Sequence, residues 1–377
     1  MPASNQSFLR PAGLGEDRPI IQIVPEIMIL GTIWCLSIIG NLLVCIVIYR
    51  SRRVQSTTNY FVITCACADL VFVCVVIPLI CGRIIMNEWL FGDFLCRCVR
   101  FVQSVFPSVT LYILASIAID RYYTIIYPLS FKVTREIAKR MIIISCLVAC
   151  LLSSFSFYFY HEVVIMSNAN TSKSVCPTYV NPQYAVGAGF SISFVILQYV
   201  IPVMMIGFIY SRLVRFIWRS GEYCLRFKRT TNSVPRTKVK MLKMLIFMTI
   251  VTMVLFLPSF IFTLWVAMRS PEIMNPTIFI VCLILLLFAT VAKPLIYTCY
   301  NSNFRRGCKE VFCMSSSRCY RSSTYVITTA SALSKKNHVG VMKGSSDRNS
   351  PTKAFDRSIQ EDKNIWPIHS GMPTTYL

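Results

Sequence analysis

Histidine and acidic residues are scarce in this chain of 377 residues, which has three His and 16 Asp and Glu against 38 Lys and Arg. The histidines, His161, His338 and His369, lie far apart, without a nucleophile beside them or the spacing of a metal site. The sequence therefore predicts no catalytic set, no metal site and no cofactor, and we expect a protein that is not an enzyme. Charged residues make up only 14% of the chain, which argues against an ordinary soluble domain.

Long hydrophobic runs are what the chain has instead. Hydrophobic residues make up 55% of it, and the mean hydropathy is +0.59. Seven runs reach the length of about twenty residues that a helix needs to cross a bilayer. They lie at 24–49, 60–84, 99–126, 138–160, 186–209, 242–268 and 273–300. None shows the alternation of a membrane β-strand, so the sequence predicts an all-α membrane protein, a bundle of seven transmembrane helices.

Lys and Arg concentrate in the loops that follow the first, third and fifth runs. Such loops face the cytoplasm, so we expect an extracellular N-terminus and a multi-pass protein of the plasma membrane. The net charge of +22 is explained by this bias, and no nucleic-acid partner is needed to account for it. Two glycosylation acceptors, Asn5 and Asn170, fall on the predicted outer side.

The chain divides by composition into three parts. Residues 1–23 are expected to form an extracellular segment, residues 24–313 the membrane domain, and residues 314–377, rich in Ser, Thr, Lys and Asn, a disordered cytoplasmic tail. The short basic segment at 301–312 predicts an amphipathic eighth helix on the inner leaflet. Palmitoylation of Cys313 and Cys319 would anchor it, and plain reduced thiols are the alternative.

The tail carries two further signals for binding partners. Its last residues place Thr375 two positions before a terminal Leu377, a pattern that fits the peptide groove of a PDZ domain. Serines and threonines between residues 315 and 334 are candidate sites for receptor kinases and for arrestin.

Most of the 17 cysteines lie in the apolar runs, where a thiol acts as a small hydrophobic group. Cys96 and Cys176 instead lie on the predicted outer side, in the oxidising compartment, and we expect them to form a disulfide. Cys98 is a competitor that the sequence alone leaves open.

Seven short motifs occur in order along the runs. They are Gly40-Asn41, Asp69 within ACADL, Trp89 before Cys96, Asp120-Arg121-Tyr122, Pro202 with Tyr210, Pro258, and Pro294 with Tyr297. Together they resemble the rhodopsin-like (class A) G-protein-coupled receptors over residues 24–313. The segments RSRRVQSTTNYF and KPLIY narrow the resemblance to an orphan group beside the peptide receptors. The resemblance implies a receptor that converts binding of an extracellular ligand into activation of a heterotrimeric G protein.

The resemblance also implies an activation switch at the cytoplasmic end of the helices. Its residues are Asp120, Arg121, Tyr122, Tyr210, Pro258, Pro294 and Tyr297. In the resting receptor Asp120 pairs with Arg121, and outward movement of the sixth helix frees the arginine to meet the two tyrosines. Lys238 stands where the family often has an acid that restrains Arg121, so we expect some signalling without ligand.

Two ligand classes of the family are excluded by position. The retinal-binding lysine of opsins would fall on Leu287, and Lys293 lies six residues further along, on another face of the helix. The aspartate of amine receptors is replaced by Gln103, a neutral amide. A peptide or an uncharged small molecule or lipid remains, and a transporter is disfavoured because the runs show no internal repeats. The expected pocket is lined by Gln103, Phe106, Tyr179, Phe256 and Phe260, with the loop at 161–182 as a lid.

Lys293 is an unusual residue because it precedes the proline of the seventh helix, where most of the family carries Asn or Asp. In the family that residue and an acid of the second helix help to hold a sodium ion. The acid is present as Asp69, and a lone charge at this depth is costly. We therefore expect a buried ion pair between Asp69 and Lys293 in place of sodium. The alternative is a neutral lysine, or one that extends towards the membrane surface.

Overall fold

The computed structural model describes residues 19–50, 57–127, 133–166, 172–177, 185–227, 235–268 and 276–311. Its elements in chain order are α1 (Ile20–Arg50), α2 (Thr57–Met86), α3 (Gly92–Ile126), α4 (Arg135–Ser153), α5 (Ser156–Phe159), β1 (Val163–Met166), β2 (Ser172–Val175), α6 (Ala185–Val195), a π-helical segment (Ile196–Val200), α7 (Ile201–Phe227), α8 (Arg236–Met268) and α9 (Pro276–Tyr300). A last helix, α10, covers 302–311.

Seven of the described spans are long and apolar enough to cross a membrane. They are α1, α2, α3, α4 continued by α5, α6 continued by the π-helical segment and α7, α8, and α9. The predicted all-α membrane fold with seven spans is confirmed, and each span overlaps one of the hydrophobic runs. Large apolar side chains such as Leu147, Leu151 and Phe208 are exposed on the bundle surface, as lipid contact requires.

The third span, α3, lies at the centre of the bundle. It packs against α2, α4, α5, α7 and α8, and many of its side chains are buried. Two apolar clusters surround it, one containing Phe61, Leu213 and Tyr297, the other containing Trp89, Phe256 and Leu287. Because α3 contacts most of the other described helices, its residues take part in the packing at both ends of the bundle.

The loop after α5 contains a β-hairpin. Strands β1 and β2 pair in antiparallel register, with Val163 opposite Val175. The loop after α2 is fastened to the hairpin, because the backbone N–H of Trp89 donates to the carbonyl of Ser174 at 2.7 Å. Gly92 follows with a φ of +79°, a left-handed conformation that favours glycine, and its carbonyl accepts a hydrogen bond from the Trp89 indole.

The fifth span is interrupted by the π-helical segment, which the sequence analysis did not predict. Pro202 follows it and has no backbone N–H, so the usual bond to the carbonyl of Gln198 cannot form. The N–H of Ile201 bonds instead to the carbonyl of Ile196, five residues back. The segment turns Gln198 into the bundle, where its amide accepts from Ser108 and donates to Ser153.

The short helix α10 begins at a defined cap. The side-chain oxygen of Asn301 accepts hydrogen bonds from the backbone N–H groups of Asn303 and Phe304, both at 3.1 Å. Phe304 is fully buried, and its ring meets Tyr297 of α9 edge to face, with centroids 5.0 Å apart. The predicted eighth helix is therefore present over 302–311 and packs onto the end of the seventh span.

Candidate functional sites

A disulfide joins the start of α3 to the residue that follows β2. Cys96 and Cys176 form it, with their Cα atoms 5.6 Å apart and both residues fully buried. Cys98, the competitor, is a free thiol. The end of the bundle that carries this disulfide and the hairpin is called the outer end below.

An open cavity of about 760 Å³, counting the space at its mouth, lies near the outer end. Its lining residues come from α2, α3, α5, α6, α8 and α9 and from the residue after α5, and most are aromatic or small and polar. They are Phe72, Arg100, Gln103, Ser104, Ser156, Tyr160, Phe190, Ser191, Phe194, Ser259, Phe262, Thr263, Phe279, Cys282, Leu283 and Leu286. A lining of aromatic and small polar side chains is typical of a small-ligand site.

Arg100 is the charged residue of the cavity wall, and it is only 4% exposed. Its Nη1 donates to Gln103 Oε1 at 2.6 Å and its Nη2 to the carbonyl oxygen of Cys176 at 2.9 Å. The guanidinium also lies 5.8 Å from the centre of the Phe279 ring. Two donors remain without a partner, Nε of Arg100 and Nε2 of Gln103.

Of the predicted pocket residues in the described ranges, only Gln103 lines the cavity. Phe256 and Phe260 are buried in the apolar cluster instead, where Phe260 stacks on Tyr199 with centroids 4.6 Å apart. Phe106 packs between both clusters near Phe72. These rings fill space between helices because several aromatic neighbours are available to cover them.

Arg100 is the charged lining residue that the sequence analysis did not predict. A signal was present, because this arginine lies at the outer edge of an apolar run, three residues before Gln103. Residues three apart share one helix face, so a residue that lines the cavity implicates its i−3 neighbour as well. A charge on an inward face requires a partner or a function.

Midway along the bundle, Lys293 of α9 meets Asp69 of α2. The Lys293 Nζ lies 2.6 Å from Asp69 Oδ1 and 3.4 Å from the hydroxyl of Thr110. Both charged residues are at least 95% buried, and the second carboxylate oxygen of Asp69 has no hydrogen-bond partner. The two residues that the sequence analysis paired are thus in direct contact.

The first and seventh spans approach each other closely beside this pair. Asn41 donates to the carbonyls of Ser37 and Thr290 at 2.9 and 3.0 Å, which ties α1 to α9. A Cβ atom on Gly40 would lie 2.9 Å from Cγ of Pro294, so only glycine fits this contact without a shift. The Gly-Asn motif therefore fixes how α1 packs on α9.

Arg121 lies at the opposite end of α3. Its Nε donates to Asp120 Oδ2 at 3.0 Å, and its Nη2 donates to the hydroxyl of Thr58 in α2 at 2.5 Å. Thr57 and Thr58 also donate to the fully buried Asp120 carboxylate, at 3.3 and 3.4 Å. Among the described ion pairs, Asp120 is the partner of Arg121, and the contact to Thr58 was not predicted.

The tyrosines of the predicted switch do not bond to Arg121. The hydroxyl of Tyr297 donates to Asn59 Oδ1 at 3.0 Å, and the buried hydroxyl of Tyr210 makes no hydrogen bond of ordinary geometry within the described ranges. Tyr122 packs against the ring of Tyr123. Two prolines of the prediction, Pro258 and Pro294, lie inside α8 and α9.

The family model described as "7 transmembrane receptor (rhodopsin family)" matches residues 40–297. The chain belongs to this family. It is therefore a multi-pass receptor of the plasma membrane, and the family consists of receptors rather than enzymes. The resemblance drawn from the order of its motifs is confirmed.

Curated relatives narrow the position of this receptor within the family. It is 40% identical to "Probable G-protein coupled receptor 19" of Rattus norvegicus and of Homo sapiens, in each case over 352 residues that cover 92% of this chain and 83% of the relative. It is 29% identical to "Neuropeptide Y receptor type 2" of Mus musculus over 345 residues, 89% of this chain and 87% of the relative. The narrower resemblance, to an orphan group beside peptide receptors, is confirmed.

Several predicted site residues of the receptor lie outside the described ranges. They are the glycosylation acceptors Asn5 and Asn170, the pocket residue Tyr179, the palmitoylation candidates Cys313 and Cys319, and the PDZ-ligand residues Thr375 and Leu377. Their roles stay predictions.

Proposed function

We propose that this receptor converts the binding of an extracellular peptide into activation of heterotrimeric G proteins. One observation carries the proposal: a single helix, α3, bears cavity residues near one end and a restrained arginine near the other. Arg100 and Arg121 are 21 positions apart, about 30 Å along a helix at 1.5 Å per residue. A change at the cavity can therefore reach the other side of the membrane through one rigid element.

The disulfide supports the proposed orientation of the receptor in the membrane. A bond between Cys96 and Cys176 persists in an oxidising compartment, so the outer end faces the extracellular space. The first span begins at the end of the bundle where the second span finishes, and that end carries the disulfide. This arrangement supports an extracellular N-terminus, as do the basic loops on the other side.

A peptide is the ligand class that the outer end favours. The cavity is open, and the hairpin of β1 and β2 lies at the same end of the bundle. Relatives with 26 to 29% identity carry names that specify peptides, among them galanin receptor 2a of Danio rerio and allatostatin-A receptor of Bombyx mori. An uncharged small molecule or lipid is the alternative that a ligand screen decides.

The opposite end of the bundle, called the inner end, supplies the activation switch. Arg121 is held by Asp120 and Thr58, which corresponds to a resting receptor, and the buried Tyr210 hydroxyl is available to a released arginine. Pro258 and Pro294 each leave a gap in the backbone hydrogen bonding of α8 and α9, so these helices can bend there. Movement of α8 would then open a crevice for the G protein.

Ligand-free signalling is part of the same proposal. Lys238, near the start of α8, offers no negative charge to Arg121, so no ion pair between these residues restrains the resting state. The Thr58 contact is a weaker restraint than a carboxylate, because a hydroxyl carries no charge. Basal activity above that of an empty-vector control is the expected result.

The test is a set of G-protein dissociation biosensors, one for each G-protein class, in cells with measured surface expression. We expect basal signal in at least one class and a further rise with one member of a peptide library. Arg121→Ala should abolish both responses, because it removes the group that the switch releases. Arg50→Ala is the matched control, since Arg50 is an exposed arginine at the inner end of α1.

Two results would contradict the proposal. One is the absence of basal and of peptide-evoked signal in every class at high surface expression. The other is an equal loss of signal in Arg121→Ala and Arg50→Ala at matched expression, which would show a general effect of positive charge at the inner end. Activation by neutral lipids with no response to peptides would replace the peptide by the alternative ligand class.

The segments beyond the described residues complete the proposal. Glycans on Asn5 and Asn170 would mark the outer side, and palmitoyl groups on Cys313 or Cys319 would hold α10 at the inner leaflet. Receptor kinases and arrestin would act on the serines and threonines of residues 315–334, and a PDZ protein would bind the terminal Leu377.

A further inference from the structure

Arg100 lacks a counter-ion within the described residues. None of the described residues that line the cavity is acidic, and none of the described ion pairs includes Arg100. Its two hydrogen-bond acceptors, the Gln103 amide oxygen and the Cys176 carbonyl, are neutral. A guanidinium has five donors and stays protonated, so none of the described residues compensates its charge in the cavity wall.

Tyr160 carries the titratable hydroxyl among the described lining residues, and it does not supply a negative charge to Arg100. Burial raises the pKa of its hydroxyl, while the nearby Arg100 acts in the opposite direction. The hydroxyl is therefore neutral at physiological pH.

The unpartnered side-chain groups of Arg100 and Gln103 are both hydrogen-bond donors. Nε of Arg100 and Nε2 of Gln103 are both buried without an acceptor. An ionised carboxylate only accepts hydrogen bonds, whereas an amide or a hydroxyl also brings a donor that would need its own partner. Aromatic rings of Phe190, Phe194 and Phe279 form the walls around the same space.

We propose that Arg100, supported by Gln103, binds a carboxylate of the ligand, and that this carboxylate adjoins an aromatic or large apolar group. The inference rests on the proposed function, since it specifies the ligand of the same cavity. The carboxylate is either a free C-terminus or an acidic side chain, because both present the same two oxygens. Binding uses the charge-assisted, two-pronged geometry that arginine favours with carboxylates.

The first test measures the electrostatic potential of the cavity without a known ligand. A cysteine is introduced at Ser104, one turn from Arg100 on the same face of α3, in purified full-length receptor. Its modification rates by anionic sulfonatoethyl and cationic trimethylammonium-ethyl methanethiosulfonates are measured by peptide mass spectrometry. The anionic-to-cationic rate ratio should exceed by about tenfold the ratio at the control site Val164→Cys, which is exposed on the hairpin.

Arg100→Gln in the Ser104→Cys background should remove this excess, and Arg100→Lys should keep it. The comparison with Val164→Cys needs no change at Arg100, so the test survives if Arg100→Gln does not fold. Equal ratios at the two cysteine sites would overturn the proposal. Glu272 lies outside the described residues. If Glu272→Gln in the Ser104→Cys background raised the anionic-to-cationic ratio, a carboxylate of the chain itself would already neutralise Arg100, and the proposal would also be overturned.

The second test uses N-acetylphenylalanine as a carboxylate probe and its amide as the matched neutral control. The acid should slow modification of Ser104→Cys by a neutral methanethiosulfonate at concentrations where the amide does not, and Arg100→Gln should remove the difference. Equal protection by acid and amide would overturn the proposal. Both tests use receptor without G protein, so their failure is distinguishable from failure of the signalling proposal. Peptides with a free C-terminal carboxylate are then compared with the same peptides amidated at the C-terminus. Loss of protection on amidation assigns the bound carboxylate to the C-terminus, and unchanged protection assigns it to an acidic side chain.

Discussion

Breaking the Asp69–Lys293 contact from one side should destabilise the receptor more than removing both charges. The two groups are 2.6 Å apart, and their side chains are only 5% and 6% exposed. In Asp69→Asn the ammonium keeps only a neutral amide and the Thr110 hydroxyl, 3.4 Å away. In Lys293→Asn the carboxylate loses the one described hydrogen bond to its side chain.

Leaving one member of a buried ion pair costs about 3–5 kcal/mol. For a domain of this size, each kcal/mol lowers the unfolding temperature by about 2–4 °C, so each single variant should lose about 10 °C. The double variant Asp69→Asn with Lys293→Asn strands no charge and should recover at least half of that loss. The coupling energy of the double-mutant cycle should be about 2–4 kcal/mol.

Thermal unfolding of purified receptor, followed by intrinsic fluorescence, measures all four members of the cycle. Glu136→Gln is a matched control for loss of an ion pair, since Glu136 and Lys139 are 3.2 Å apart but 71% and 54% exposed. It should change stability by less than about 0.5 kcal/mol. If Lys293 takes the place of a sodium ion, as the sequence analysis predicts, sodium should stabilise the wild type no more than choline does.

Additive losses in the double variant would refute this reasoning. A sodium-specific stabilisation that disappears in Asp69→Asn would refute it as well, because it would show that the carboxylate binds the ion while Lys293 does something else. If Glu136→Gln lost as much stability as Asp69→Asn, burial of the ion pair would not explain the loss.

Three other changes have defined outcomes. Gly40→Ala should lower surface expression, because its Cβ would meet Pro294 at 2.9 Å, whereas Gly189→Ala, with nothing within 4 Å, should not. Asn170→Gln should increase gel mobility and make it less sensitive to glycosidase, and unchanged mobility would remove that glycosylation site. Deleting Leu377 should eliminate PDZ-domain proteins from a pull-down with the last ten residues, and an identical set of partners would contradict the PDZ prediction.

The membrane architecture could be predicted because hydrophobic length and basic loops act locally along the chain. The ion pair could also be anticipated, because an isolated charge at membrane depth requires a partner and Asp69 was the available acid. Element boundaries were less accurate. The second and third spans start earlier than their runs, at Thr57 and Gly92, since polar residues at helix ends do not register as hydrophobic.

The cavity was predicted poorly for a different reason. An aromatic residue such as Phe260 can line a pocket or fill the space between helices with equal chemical suitability, and only the rotation of each helix decides. That rotation depends on packing across the bundle, and in the fifth span on the π-helical segment. The Thr58 contact to Arg121 likewise joins residues 63 positions apart. No pattern within one helix specifies such a contact.

Because of the π-helical segment, inserting or deleting a single residue in the fifth span would change which side chains face the cavity. One residue corresponds to about 100° of helix rotation, so removing one residue between Ile196 and Val200 would turn α6 relative to α7. Phe190 and Phe194 would then leave the cavity wall, although neither residue had changed. If the cavity binds the ligand as proposed, ligand preference among related receptors can diverge through the length of this span alone. Alignments that place a gap elsewhere in the span will pair residues that face different directions.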